Sequence, residues 1–184
     1  EAATQRREMP GTGDDSTECA SEATWYPVMR YTDDRTRDLE LYGAGEPTCT
    51  TGTNQTLETA GNVGYSTTVA TGGDGNRVSS LQDGTNGDLE LYVCANPTCT
   101  TGTNQTLETT GAVGYYTSVA IGADSNPIIS HTDDSNRDLE LYVCDNPTCT
   151  TGTNQTPDTA GNGGYYTSVA IGADGNPNIS HQDG

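Results

Sequence analysis

Residues 88–137 read DLELYVCANPTCTTGTNQTLETTGAVGYYTSVAIGADSNPIISHTDDSNR, and nearly the same stretch recurs on either side of it. The motif DLELY begins at Asp38, Asp88 and Asp138, so the repeat interval is 50 residues each time. A repeat of this length is usually one supersecondary unit that buries its apolar face against the next unit. The repeat therefore predicts the architecture more strongly than the function.

Each unit contains four segments with the composition of β-strands. Residues 115–121 alternate small residues with aromatic and β-branched ones, which is typical of a half-buried strand. The other three predicted strands, separated by turn residues, are 128–131, 139–144 and the Thr-rich run 150–156. We therefore expect an all-β fold of repeated four-stranded antiparallel blades, β-propeller-like in arrangement. A β-solenoid, in which strands pair between repeats, is the alternative.

The repeat boundaries divide the chain into five segments. They are a non-repeat N-terminal arm (1–23), a first partial repeat (24–63), full second and third repeats (64–113 and 114–163) and a fourth partial repeat (164–184). These repeats predict three, four, four and two strands in turn. Because propellers normally need four to eight blades, the fold is expected to be incomplete in one chain. Either the chain is part of a longer one, or, as we expect, other copies complete the fold by strand or blade complementation.

The composition limits the class of partner. The formal net charge is −19, and all seven basic residues are arginine. Such a negative field repels nucleic acid and anionic membranes and attracts cations. No stretch approaches the roughly 20 apolar residues of a membrane span. We therefore expect neither nucleic-acid binding nor a membrane span.

The repeat resembles one found in secreted bacterial proteins of uncharacterised function. The resemblance lies in GYYTSVAIGADGNPNISHQDG, which opens the fourth repeat, and in DLELYVC with the second cysteine after it, over roughly residues 25–184. It implies a β-propeller-like module, distantly like sialidase-type blades. The Asp-box of those blades, Ser-x-Asp-x-Gly-x-x-Trp, is not met, because residues 173–176 read ADGN without the tryptophan. The resemblance therefore implies no catalytic residues.

The six cysteines are expected to form three disulfides. Cys94 and Cys99 flank a four-residue turn, and so do Cys144 and Cys149. Such spacing places each pair at facing positions of a hairpin, within disulfide reach. Cys49 lacks a partner in its own unit, where Ala44 stands, which leaves Cys19 of the arm to pair with it. Zinc is the alternative, but each pair lacks the further ligands of a tetrahedral site. Disulfides indicate an extracellular or cell-surface location.

Two further kinds of site are suggested by short motifs. N-glycosylation sequons begin at Asn54, Asn104, Asn154 and Asn178, and unmodified exposed strand residues are the alternative. Calcium is a candidate ligand of the acidic turn that contains Asp133, Asp134, Asn136 and Asp138. Asp and Asn also stabilise turns by bonding their own backbone, which is the favoured interpretation here. Covalent glycans and calcium are thus the candidate non-protein groups, and no cofactor is expected with certainty.

Catalysis has little support in the sequence. The two histidines, His131 and His181, stand at equivalent positions, and neither belongs to a recognisable catalytic triad. We expect a non-enzymatic protein: a secreted structural repeat protein that self-assembles, as a glycosylated filament or surface-layer component. The first alternative is a lectin-like propeller with shallow carbohydrate sites between blades. The second is an extracellular glycan hydrolase or lyase.

Overall fold

The computed structural model of the protein describes residues 36–44 and 50–184 in full, together with the backbone of three strands before residue 33. Within these residues the chain forms fifteen strands and no helix. Their bounds are β1 Gln5–Arg6, β2 Glu18–Glu22, β3 Trp25–Thr32, β4 Leu39–Ala44, β5 Gly52–Glu58, β6 Tyr65–Thr71, β7 Arg77–Asp83, β8 Asp88–Cys94, β9 Gly102–Glu108, β10 Tyr115–Ile121, β11 Pro127–Asp133, β12 Asp138–Cys144, β13 Gly152–Asp158, β14 Tyr165–Ile171 and β15 Pro177–Gln182.

The strands form four sheets, and each sheet follows the order of the chain. The sheets are β1 to β5, β6 to β9, β10 to β13, and β14 with β15; we call them sheets 1 to 4. Every strand pair is antiparallel, and pairing occurs within a sheet rather than between repeats. The prediction of an all-β fold with four-stranded antiparallel units is confirmed.

The strand boundaries agree best where the side-chain pattern is strongest. The predicted strand 115–121 coincides with β10. The next strand begins earlier than expected, at Pro127, because proline is tolerated as the first residue of a strand. The Thr-rich strand lies two residues later than predicted, as β13, and contains Pro157. It is the outermost strand of its sheet, where a missing N–H breaks no ladder bond.

Sheet 1 has more strands than the repeat predicts. The partial first repeat supplies β3, β4 and β5, and the non-repeat arm adds β1 and β2. β2 pairs with β3 antiparallel, in the place that the first strand of the unit takes in sheets 2 and 3. The inner edge of β3 is therefore already covered, and a second copy is not needed to cover it.

Sheets 2, 3 and 4 lie side by side through their first strands, and β3 of sheet 1 contacts β6. β10 lies between β6 and β14. Hydroxyl groups join these strands: Thr117 Oγ1 donates to Ser66 O at 2.6 Å, and Thr167 Oγ1 to Tyr116 O at 2.8 Å. A backbone amide adds a bond in the same direction, since Val119 N of sheet 3 donates to Thr68 Oγ1 of sheet 2 at 2.9 Å. Neighbouring sheets are thus held in a fixed register by bonds that recur from repeat to repeat.

The apolar core is divided into layers between consecutive sheets. One cluster joins Leu39 and Leu41 of sheet 1 to Leu81 and Tyr92 of sheet 2. A second joins sheets 2 and 3, and it contains Leu89, Leu91, Val119, Ile129 and Tyr142 among others. Burial of each leucine stabilises the fold by about 1.5–3 kcal/mol. The DLELY motif recurs because its leucines form these layers.

A tyrosine of the third strand covers a glycine of the fourth in each full sheet. A Cβ atom on Gly102 would lie 2.4 Å from Tyr92 Cε1 and 2.6 Å from Val93 O, and Gly152 meets Tyr142 and Val143 at the same distances. The aromatic ring takes the space of the missing side chain, so these strand glycines are required by close packing.

Candidate functional site

Two of the predicted disulfides are present. Cys94–Cys99 and Cys144–Cys149 close equivalent loops, with Cα–Cα distances of 4.8 and 4.9 Å. The side chain of Cys19 and all of Cys49 lie outside the described residues, so the third bridge stays a prediction. Asn96 organises the first loop: its Oδ1 accepts from Thr98 Oγ1 at 2.8 Å and from Thr100 N at 3.2 Å. The two disulfides are typical of an oxidising compartment.

Removing one disulfide should weaken the fold measurably. For the double variant Cys144→Ala and Cys149→Ala we expect a loss of about 2 kcal/mol in the free energy of unfolding, because the short loop gains freedom in the unfolded chain. Ala44 holds the position of Cys144 in sheet 1, so alanine suits this strand end. Guanidinium unfolding of both proteins, with and without reductant, measures the loss. An equal midpoint for the oxidised wild type and the variant would contradict it.

A cleft of about 610 Å³ separates sheets 2 and 3 at the end where these loops lie. Its floor is apolar and includes Val78, Val93 and Ile121. Its polar groups come from the first turn of sheet 2 and from outer strand and loop residues, and include Asp74, Asn76, Thr103, Gln105, Thr148 and Thr150. An apolar floor with a few fixed polar groups is the usual form of a small-ligand site.

Hydrogen bonds fix the carboxylate of Asp74, one of the polar groups of the cleft. Asp74 accepts from Asn76 N at 2.9 Å and Asn76 Nδ2 at 2.8 Å, so its carboxylate is oriented by its own turn. At the preceding junction Gln55 Nε2 donates to Thr98 O at 3.0 Å and ties sheet 1 to sheet 2. The equivalent Gln105 and Thr148 instead line the cleft. The repeated glutamine follows directly after each sequon asparagine, but no spacing in the sequence indicates that it reaches a neighbouring sheet.

The acidic turn that was a calcium candidate uses its buried carboxylate internally. Asp133 accepts from Ser135 N at 2.8 Å and from Asn136 Nδ2 at 2.6 Å. Asp134 and Asn136 are exposed and Asp138 is half-buried. No cluster of three His, Cys, Asp or Glu side chains suited to a metal occurs among the residues described here. The arrangement is that of an Asx turn, and calcium binding stays a prediction.

The four sequon asparagines differ in exposure and in hydrogen bonding. Asn54 Nδ2 donates to Glu40 at 2.6 Å and Asn104 Nδ2 donates to Glu90 at 2.7 Å, so the nitrogen that would carry a sugar is engaged in both. Asn154, the third repeated asparagine, is half-buried and its Oδ1 is enclosed. Asn178 is exposed in β15, as Asn54 is in β5, and its Nδ2 donates to Asn176 O at 3.4 Å. Glycosylation stays a prediction.

A buried polar cluster lies inside sheet 3. His131 is 0% exposed, and its Nδ1 accepts from Gly114 N at 3.4 Å. Its Nε2 lies 3.7 Å from Glu140 Oε2, and neither atom has a hydrogen-bond partner in the described part of the chain. Burial lowers the pKa of His131 to about 4 and raises that of Glu140. The imidazole is therefore neutral at pH 7 and shielded from any soluble substrate.

His181, the equivalent residue in sheet 4, is partly exposed. Its Nδ1 accepts from Gly164 N at 3.2 Å, and its Nε2 lies 3.7 Å from Asp158 Oδ2 of sheet 3. The two histidines thus lie in different sheets, and each accepts a hydrogen bond from the glycine that precedes the first strand of its own sheet. They form no shared site.

Paired tyrosines at the start of the inner strands were not singled out by sequence. Tyr115 and Tyr116 begin β10, and Tyr165 and Tyr166 begin β14. The rings of Tyr116 and Tyr166 lie 4.5 Å apart between centroids. Adjacent residues of a strand point to opposite faces, so a repeated Tyr-Tyr doublet was the available signal that one ring faces outward.

Comparison with known sequences adds no identity: no family model matches the chain, and no curated protein matches it. The resemblance to secreted bacterial repeats therefore stays a prediction. No helix in the described part of the chain has the length and apolar character needed to span a bilayer.

Proposed function

We propose that this protein is a secreted, non-catalytic structural repeat protein that self-assembles, as in a filament or surface layer. The observation that carries the proposal is the outer edge of the sheets. Among the described strands, the outermost ones, β5, β9 and β13, each pair on one edge only. An open edge is a template for strand addition.

The arrangement of sheets supports the propeller-like interpretation over a solenoid. Strands pair within a repeat, and the first strands of sheets 2, 3 and 4 lie side by side. A propeller places the first strand of each blade around its axis. The two disulfides support secretion.

Self-association is the first test. Sedimentation velocity across a range of protein concentrations should reveal species larger than the monomer. A disulfide-closed peptide of residues 138–158, which carries the third and fourth strands of a unit, should compete and return the protein to monomers. A monomer at all concentrations, with no binding of this peptide, would overturn the proposal.

Carbohydrate binding is a second candidate function, favoured by the cleft between sheets 2 and 3. Its oriented Asp74 carboxylate, the Gln105 amide and threonine hydroxyls surround an apolar floor. Sugars present hydroxyls around an apolar ring face, so this combination suits them. At the preceding junction the equivalent space is bridged by the hydrogen bond from Gln55 Nε2 to Thr98 O.

A glycan array probes this second function. Binding to a defined glycan should fall about tenfold in Gln105→Ala, which removes one polar contact worth about 1.5 kcal/mol. Gln155→Ala alters the equivalent exposed residue of β13 and should bind as wild type does. Equal loss in both variants, or no bound glycan with and without Ca²⁺, would contradict the assignment.

A further inference from the structure

An aromatic surface lies where the inner strands begin. We call it the tyrosine ladder, and it consists of Tyr116, Tyr165 and Tyr166. The ring of Tyr116 contacts Tyr166 at 4.5 Å with planes inclined by 51°, and Tyr165 at 5.7 Å edge to face. Tyr166 is 66% exposed. The ladder therefore presents an aromatic face to solvent rather than filling a core.

The backbone is strained at the second residue of the first strand in sheets 2, 3 and 4, a position that Tyr116 and Tyr166 of the tyrosine ladder occupy. Ser66, Tyr116 and Tyr166 have φ angles of 47°, 51° and 52°, in the left-handed region that favours glycine. The strand register shifts at the same place, between Tyr115 and Ser118 and between Tyr165 and Ser168. Such bulges redirect a side chain and are frequent beside functional sites. Here they turn the second tyrosine outward.

The neighbouring sheet holds this strained backbone in place. The carbonyl of Ser66 accepts from Thr117, and that of Tyr116 accepts from Thr167. Both threonines are buried, at 4% and 8% exposure. Because the next sheet fixes the bulge at Tyr116, the ring of Tyr116 is ordered before any ligand arrives. A preordered surface loses little conformational entropy on binding.

The charge around the ladder favours a cation. Tyr115 pairs with Thr132 at the start of β10, and Asp134 follows two residues after Thr132, so Asp134 lies near this end of the strand. Burial, followed by the adjacent tyrosines and Asp134, raises the pKa of the Tyr116 hydroxyl. Asp134 is exposed. The whole chain has a formal net charge of −19. Cations bind over aromatic faces, and the planar guanidinium group of arginine also stacks on them.

We propose that Tyr116 and Tyr166 form a stacking site for the guanidinium group of an arginine side chain in a basic partner peptide, with Asp134 as the neighbouring anion. The ring of Tyr166 supplies the exposed face, and the carboxylate attracts the charge. This site lies at the start of the inner strands, whereas the cleft lies at the opposite end of these strands beside the turns that follow them. It is independent of the two proposed functions.

The repeat supplies its own controls. Sheet 2 carries Ser66 where sheets 3 and 4 carry the second tyrosine, and its backbone has the same left-handed conformation. Ser66→Tyr should therefore add a third ring beside Tyr116. Tyr65 is 38% exposed but has no second tyrosine beside it, so Tyr65→Ala removes an exposed ring outside the ladder. All these changes leave the net charge unaltered.

The experiment titrates the full chain with blocked tetra-arginine at about 0.15 M salt, where long-range charge effects are screened. We expect Tyr166→Ala and Tyr116→Ala to weaken binding about two- to fivefold, Tyr65→Ala to have no effect, and Ser66→Tyr to strengthen binding by a similar factor. Unfolding midpoints establish that each variant is folded, and Ser66→Tyr tests the site without removing any residue of the ladder. Equal affinity of all variants would assign binding to bulk charge and overturn the proposal. Binding of neutral oligosaccharides in preference to tetra-arginine would overturn it as well.

Discussion

Acidification from pH 6.5 to pH 4 is expected to remove roughly 3 kcal/mol of stability through His131 alone. The imidazole titrates near 6.5 in the unfolded chain and at about 4 in the folded protein, because burial disfavours its charged form. Between these values the unfolded chain binds more protons than the folded one. The contribution is therefore complete above pH 6.5 and is lost as the pH falls towards 4.

The replacement His131→Leu isolates this effect from the many carboxylates. Leu81 stands at the equivalent position of sheet 2 and is 0% exposed, so leucine fits this strand. Urea unfolding of both proteins at several pH values gives the difference in the free energy of unfolding. That difference should change by roughly 3 kcal/mol between pH 7 and pH 4, in favour of the variant at low pH. A difference that is constant with pH would show that His131 does not titrate as described.

Alanine at two strand glycines should change stability in opposite directions. Gly102→Ala is expected to cost about 1–3 kcal/mol or more, because its Cβ would lie 2.6 Å from Val93 O and inside the ring of Tyr92. Gly43→Ala is the matched control, since its Cβ would meet nothing closer than Thr53 at 3.9 Å. Alanine restricts the unfolded chain, so this variant should gain up to about 1 kcal/mol.

Guanidinium unfolding at constant pH measures both effects. Neither glycine has a left-handed φ angle, so the comparison separates packing from backbone conformation. The guanidinium midpoint is expected to be highest for Gly43→Ala, intermediate for the wild type and lowest for Gly102→Ala. If Gly102→Ala matched the control, the tyrosine ring would have to move aside at little cost, and the close packing of glycine and tyrosine would not be required.

The repeat made the strand pattern inside each unit predictable from the sequence. The alternating residues of β10 and the hairpin spacing of Cys144 and Cys149 each depend on neighbours along the chain, and both predictions are confirmed. The main strand that was not predicted is β2, which lies outside the repeat. This strand pairs with β3 through backbone hydrogen bonds, and no side-chain pattern in the sequence indicates that pairing. The local sequence therefore predicted the strands inside each unit but not the strand that the N-terminal arm adds to sheet 1.

The candidate sites were less predictable because they depend on contacts between repeats. Gln105 and Ile121 belong to different sheets, and only the packing of sheet 2 on sheet 3 brings them to one cleft. The left-handed backbone at Tyr116 is likewise held by Thr167 from the next sheet. In the acidic turn the sequence left calcium and an Asx turn open, and the hydrogen bonds of Asp133 account for the turn.

The hydroxyl bonds between inner strands have a consequence for how such a chain evolves. The bond from Thr117 to Ser66 O is repeated 50 residues later by the bond from Thr167 to Tyr116 O. The junction between sheets 2 and 3 and that between sheets 3 and 4 thus use equivalent donors and acceptors. An in-frame duplication of one unit would insert a sheet whose two faces already match both neighbours. Gene length can therefore change by whole units without the appearance of a new interface, and selection then acts on the number of units.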